Sequence, residues 1–353
     1  MQEIKIVRKL HLAEKVVFID GLPGCGKTLF SFLLSAFDRV EKINYSYEIE
    51  QLCSLYHLKK IELDAVVGMV KMLTDLIVYD IMMSRNVNCR PTDLSSIFRH
   101  PNKLKYIKRF FLKGDMSVPD RIQKENPILP LTVHNLLGTA GPIFKALEER
   151  VVFLEIVRHP LYMIIQQALN NERLVFTARH FNIYFNYGEE QMPWYALGWE
   201  NEFLNANPVE KAILFIEKMG KNLKDTKSKI NSQQQKQILT IPFENFVINP
   251  DGYMTDIENL IGSKITNITL RELKRQNVPR KKIADGIPLD IYKRCGWVPP
   301  KEGLTEKEEL DLRRNYALEN TSPKIMYILD KLCAEYEEKY LGGVIISKNG
   351  YKE

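Results

Sequence analysis

Eight consecutive residues, Gly21, Leu22, Pro23, Gly24, Cys25, Gly26, Lys27 and Thr28, match the spacing G-x-x-x-x-G-K-[ST] in full. The chemistry of that spacing is anion binding. Its glycines let backbone N–H groups curl around phosphate oxygens, a following helix points its positive end at them, and the Lys27 ammonium adds a point charge. The surroundings supply the elements this chemistry needs. KVVFID at 15–20 is a β-branched run that stops at the first glycine, and TLFSFLLSAFDRV after the loop reads as a helix. Strand, glycine loop and helix in that order predict a site for the phosphates of a nucleotide-like ligand. A chance glycine-rich turn is the competing explanation, and the flanking elements argue against it.

A second set of chemically capable residues lies mid-chain. ILPLTVHNL reads as a strand running into a loop that carries His134, and IFKALEER as a short helix. VVFLEIV at 151–157 has the near-continuous apolar character of a parallel strand covered on both faces, and it ends at Arg158 in an Arg-x-Pro triplet. This stretch resembles the central region of sulfotransferases that use PAPS (3′-phosphoadenosine 5′-phosphosulfate), in which a strand ends in Arg-x-Pro. ILTIPFENFVINPDGYMTDIENLIG resembles the same family's strand, glutamate, short turn and helix ending in Leu-Gly. GWVPPKEGLTEKEELDLRRNYALE resembles its closing helix. The likeness runs from the phosphate loop to the last helices, each motif being moderately specific on its own.

Carried over residue by residue, the resemblance implies that Gly21 to Thr28 hold the 5′-phosphosulfate of PAPS as co-substrate, that Arg158 holds the 3′-phosphate, and that no metal is required. His134 stands where cytosolic members place their catalytic histidine, so it is the expected general base. A loop histidine with an ordinary hydrogen bond is the bland alternative. Glu48 is a second candidate base, and Lys27 is expected to stabilise the departing oxygen. Three positions depart from the family pattern. The family's loop lysine falls at Gly24, its serine eight positions after the arginine is Gln166, and its late Arg-Lys-Gly loop is echoed only by Arg280, Lys281 and Lys282. An amide at Gln166 can still donate a hydrogen bond. Arg280 and Lys281 are expected either at the 3′-phosphate or on a solvated basic surface. The implied reaction moves a sulfuryl group to a hydroxyl or amine of a small-molecule or glycan acceptor.

Two other readings of the same residues stay open. Lys27 and Thr28 suit a magnesium-dependent ATP or GTP kinase, for which Asp80 after LIVY is the aspartate with the right look, Asp64 being weaker. Asp80 reads as helical, which favours a structural role. A nucleotide-binding protein without catalysis is the third reading.

These motifs need a scaffold, and the alternation of strand and helix predicts one α/β domain over residues 1–353. It is expected to be a three-layer P-loop fold with a central, mainly parallel sheet flanked by helices, a helical insertion at about 45–115 and C-terminal helices at about 304–341. Pro250 and Asp251 mark a helix start and Gly262 its stop; Thr305 with Glu308 forms a capping box, and Ser322-Pro323 opens a last helix. Hydrophobic residues make up 45% and charged residues 27%, ordinary for a globular protein, and the net charge of +6 falls short of a nucleic-acid-binding signature. Five scattered cysteines without a CxxC pair point to a reducing compartment. With no signal peptide and no run long enough to span a bilayer, the expectation is a cytoplasmic protein without membrane insertion. An aromatic-rich segment around Trp194, Tyr195 and Trp199 is a candidate acceptor surface or core packing, and Glu189 and Glu190 read as solvated. Cys25 reads as a small residue suited to a tight loop.

Overall fold

The strands are β1 (Lys15–Asp20), β2 (Ile128–Thr132), β3 (Val151–Val157), β4 (Tyr184–Tyr187), β5 (Glu190–Pro193) and β6 (Ile238–Pro242) in the computed structural model, which describes residues 4–287, 293, 295–299 and 303–342. The helices are α1 (Lys27–Leu34), α2 (Tyr47–His57), α3 (Leu63–Met83), α4 (Lys103–Arg109), α5 (Ser117–Glu125), α6 (Gly141–Leu147), α7 (Pro160–Arg173), α8 (Glu200–Asn205), α9 (Pro208–Lys229), α10 (Ser232–Gln235), α11 (Phe243–Ile248), α12 (Asp251–Ile261), α13 (Asn267–Arg275), α14 (Glu306–Glu319) and α15 (Pro323–Tyr340).

Alternation along the strands explains the layers. In β1, Val17 and Ile19 enter one apolar cluster while Val16 and Phe18 enter another; in β3, Val152 and Leu154 divide in the same way from Val151 and Phe153. A sheet apolar on both faces must be covered on both. One face packs against residues of α1, α7, α9, α12 and α15, the other against α2, α3, α5 and α6. The four-stranded sheet has the order β2–β1–β3–β6, and every pairing is parallel. Phe18 lies opposite Phe153 in the register, and their rings stack at 5.1 Å, a cross-strand pair worth about 0.5–1.5 kcal/mol beyond its burial. The α/β fold with a parallel sheet flanked by helices is therefore as the sequence predicts.

Two local readings need correction. The helix after the glycine loop stops at Leu34, because the following residues leave it to run beside β2, with Glu41 N–H donating to the Ile128 carbonyl and Tyr45 bridging to Thr132. The aromatic-rich segment, read as an acceptor surface or core packing with no strands of its own, contains the β4–β5 hairpin with Gly188 and Glu189 at its tip. Pro300, Lys301 and Glu302 of the closing-helix motif lie outside the described residues, and the rest of it supplies α14, capped by Thr305 and Glu308.

Beside the sheet, Glu41 is fully buried, and every bond it can make is made. Its carboxylate accepts from Arg109 Nη1 (2.8 Å) and Nη2 (3.0 Å), Lys105 Nζ (2.7 Å) and the Tyr106 hydroxyl (2.9 Å). Burial alone would raise its pKa, but the adjacent Lys105 and Arg109 charges pull it down to about 2. His100 packs edge-on against Tyr106 at 4.8 Å, and burial lowers its pKa to about 4.

Candidate functional site

Parallel pairing decides where chemistry can happen. With every strand of the sheet running the same way, the C-terminal strand ends lie along one edge. β1 delivers the Gly21–Gly26 loop to that edge, β2 delivers His134, β3 delivers Arg158, and β6 delivers Phe243 and Glu244. A cavity of about 550 Å³ opens over them, within the range of small-ligand sites.

The loop is built on glycines with φ of 144° at Gly21, 86° at Gly24 and 101° at Gly26, values side chains rarely adopt. Space forbids side chains at two of them as well. A Cβ on Gly21 would sit 2.3 Å from the Ile156 carbonyl oxygen, and one on Gly26 would sit 2.3 Å from the Phe243 ring. Lys27 opens α1 and folds back, its ammonium donating to the carbonyls of Gly21 (2.5 Å) and Leu22 (3.0 Å). An anion entering the curl of the loop competes with those two carbonyls for the ammonium. Pro23 and Thr28 line the cavity, while the Cys25 side chain is buried and burial raises its thiol pKa.

Arg158 lies against this loop. Its Nη1 donates to the Gly24 carbonyl at 2.9 Å, and its guanidinium lies over the Phe243 ring at 4.4 Å and the Tyr162 ring at 4.9 Å. Glu244 is 3.9 Å from its Nε, too far for a hydrogen bond, so that Nε is buried without a hydrogen-bond partner. Arg280 also lies over the Phe243 ring, at 5.4 Å, and Arg313 stands 4.9 Å from the Tyr162 ring while paired with Glu309. Burial, and next the Glu306 carboxylate, push the Tyr162 phenol upward, so it stays protonated and donates to Glu306. Gln166 lines the cavity beside Gly24, and its neighbour Gln167 donates to the Pro23 carbonyl at 2.9 Å. Lys281 is exposed and stays outside the lining, so of the late basic residues Arg280 is the one brought to the site.

His134 stands across the loop from Arg158. The buried carboxylate of Asp20 accepts the Leu136 and Leu137 N–H groups at 3.0 and 2.6 Å, which pins the turn after His134 to the end of β1. His134 Nδ1 lies 3.3 Å from Glu50 Oε1, and Tyr47 lies nearly parallel to the imidazole at 6.1 Å. Glu48 behaves otherwise. It is exposed and outside the cavity lining, because positions two apart on α2 differ by about 200° of rotation and point to opposite sides. The glutamate that meets the histidine is Glu50.

Beyond His134 the cavity wall becomes aromatic, with Tyr47, Phe181, Trp194, Tyr195 and Phe215. Trp199 instead packs edge-on against Phe203 and donates Nε1–H to the Tyr195 carbonyl (2.6 Å), which places it in the core. Glu189 and Glu190 are exposed at the hairpin. His180 also reaches the cavity; burial, and next the neighbouring His134, lower its pKa. Asp80 sits in α3 against Arg85 and Asn86, outside the cavity lining.

Sequence reasoning missed Glu50, Tyr162, Phe243 and Arg313. Tyr162 and Phe243 had a usable signal, since one lies four positions after Arg158 on a helix start and the other directly follows a strand end. Arg313 had none.

No family model matches the chain, and no curated protein does. Among solved structures it is similar to the sulfotransferase domain of an olefin synthase from Synechococcus PCC 7002, at 12% identity and a TM-score of 0.41 over 90% of this chain and 98% of that one. It is also similar to sulfotransferase STF9 from Mycobacterium avium, at 13% and 0.43 over 94% and 78%, and to a sulfotransferase from Alicyclobacillus acidocaldarius, at 13% and 0.34 over 91% and 96%. All three are sulfotransferases. At these scores the likeness carries no functional weight, and function must be argued from the side chains of this chain.

Proposed function

We propose that this chain is a sulfotransferase that takes its sulfuryl group from PAPS and delivers it to a hydroxyl or amine of a small-molecule or glycan acceptor. The observation that supports the proposal is that the glycine loop after β1 and Arg158 after β3 stand on neighbouring strand ends, with the Arg158 Nε buried and without a hydrogen-bond partner. A ligand with phosphate groups at two ends fits such a pair better than one with a single polyphosphate tail. PAPS, when bound, supplies the sulfuryl group on a phosphate leaving group.

The residues then divide the work. The loop N–H groups and the start of α1 receive the phosphosulfate end, and Lys27 exchanges its carbonyl partners for the charge that develops on the leaving oxygen. Arg158, with Arg280 beside it, receives the 3′-phosphate, and the Phe243 and Tyr162 rings hold the Arg158 guanidinium flat. Glu50 holds His134 at Nδ1, which leaves Nε2 to take the proton from the attacking acceptor. The aromatic wall receives the body of the acceptor.

Calorimetric titration with adenosine 3′,5′-bisphosphate, beside magnesium-ATP, tests the proposal in wild type and Arg158→Ala. The expected result is tight bisphosphate binding that weakens about a hundredfold in the variant, the loss of charge-assisted hydrogen bonds from one arginine. Lys27 and Thr28 favour a kinase as the second reading. Preference for magnesium-ATP, indifferent to Arg158, would replace the first reading with that one.

A further inference from the structure

The turn that follows α4 exposes apolar side chains that the catalytic cavity does not use. Phe110, Phe111 and Leu112 are consecutive and exposed; Phe111 is 84% and Met116 83% accessible. Exposure on this scale is unusual for aromatic residues, and contiguous apolar surface of this kind marks an interaction site. The turn is also held in place. Tyr79 donates its hydroxyl to Asp115 (3.0 Å), Met83 Sδ accepts the Asp115 N–H (3.1 Å), and Arg121 bonds to the Met82 and Lys113 carbonyls. Tyr79 and Met83 continue a face of α3 on which Met69, Met72 and Leu76 recur at helical spacing, all three exposed. The turn and this stripe therefore meet on one side of the molecule.

The residues on and beside the apolar turn carry an excess of positive charge. From 103 to 116 the cations are Lys103, Lys105, Lys108, Arg109 and Lys113, against one carboxylate, Asp115. Lys105 and Arg109 are consumed by Glu41 and Glu125. Lys103, Lys108 and Lys113 are exposed, and among the described residues none of them pairs with a carboxylate.

We infer that this face adsorbs to an anionic lipid surface, with Phe111, Leu112 and Met116 entering the boundary between headgroups and acyl chains and the three lysines contacting the headgroups. Apolar side chains exposed on a turn, with exposed and unpaired lysines close by in the chain, match the vertical order of such a membrane, apolar below and anionic above. A second copy of this chain matches poorly, because a two-fold contact through the turn would bring like lysines together. Adsorption to a depth of about 5–10 Å needs no spanning segment, and no described helix is long and apolar enough to cross a membrane.

Cosedimentation of the whole chain with phosphatidylcholine vesicles, with and without phosphatidylserine, is the test. Binding is expected only when phosphatidylserine is present and is expected to weaken as salt rises. The double variant Phe111→Ser, Met116→Ser should bind at least about tenfold less, and each lysine changed to glutamine should cost about fivefold. An unchanged thermal unfolding midpoint in these variants shows that the loss is not one of folding. In a separate variant, Phe111→Trp, indole emission should shift to the blue on addition of phosphatidylserine vesicles. Failure to sediment with those vesicles, or equal sedimentation of the double variant, overturns the inference. So does a solution dimer that Phe111→Ser dissolves, which would make the face a contact between copies.

Discussion

Two clusters of buried charge lie on different parts of this molecule and are finished to different degrees. Around Glu41 each charge has its counter-charge, and the carboxylate receives a two-pronged arginine, a lysine and a tyrosine hydroxyl. Around the glycine loop the cations are left short. Arg158 has a buried Nε without a hydrogen-bond partner, and the Lys27 ammonium rests on backbone carbonyls with no carboxylate among its bonds. The Glu41 carboxylate, with four donors on it, has no bond left to offer a ligand and serves to hold the fold together. An under-satisfied cluster costs stability in the free protein, and a bound anion offsets that cost.

The contrast can be broken experimentally, and the saturated cluster should give the biggest loss. Glu41→Ala leaves the buried Arg109 with Glu125 alone and takes the carboxylate from Lys105, and urea unfolding should show a loss of about 3 kcal/mol, while the affinity of the surviving folded protein for adenosine 3′,5′-bisphosphate stays the same. A parallel fall in affinity would show the clusters to be coupled. The next effect belongs to pH. His100 titrates at about 4 when folded against an ordinary 6.5, so the unfolded chain binds its proton first. The stability that His100 provides by staying neutral is whole above pH 6.5. It is lost as pH falls toward 4, by about 3 kcal/mol in full. Urea midpoints measured across that window should fall, and His100→Leu should flatten the slope.

Under the proposed sulfotransferase reading, His134 and Glu50 should answer in rate and leave stability nearly untouched. His134→Ala should slow sulfuryl transfer by about a hundredfold with bisphosphate affinity retained; an unchanged rate would remove His134 from the mechanism. Glu50→Gln should be milder, about a tenfold fall in kcat with KM little altered, because the amide still reaches Nδ1 without the charge. A larger effect for Glu50→Gln than for His134→Ala would make the glutamate the base. Glu48→Gln, at an exposed position, should change neither quantity.

Features that depend on chain neighbours were legible before any fold was known. A β-branched strand, three glycines and a helix opening on Lys27 make a tight strand-turn-helix loop wherever they occur together, because the turn needs φ values that those glycines supply and the helix start needs no distant partner. The same holds for Arg158 at the end of an apolar strand and for the caps of α12, α14 and α15. Features that depend on distance in space waited for the folded molecule. The order β2–β1–β3–β6 sets His134 on one side of the loop and Arg158 on the other, and no local pattern encodes which strand lies in the middle. The rotation of α2 chose Glu50 over Glu48. The docking of α14 carried Arg313 to Tyr162 from far along the chain, where nothing near Arg313 announced it. Local backbone preference acts over a few residues, whereas a binding site is assembled by the burial of apolar faces that lie far apart along the chain.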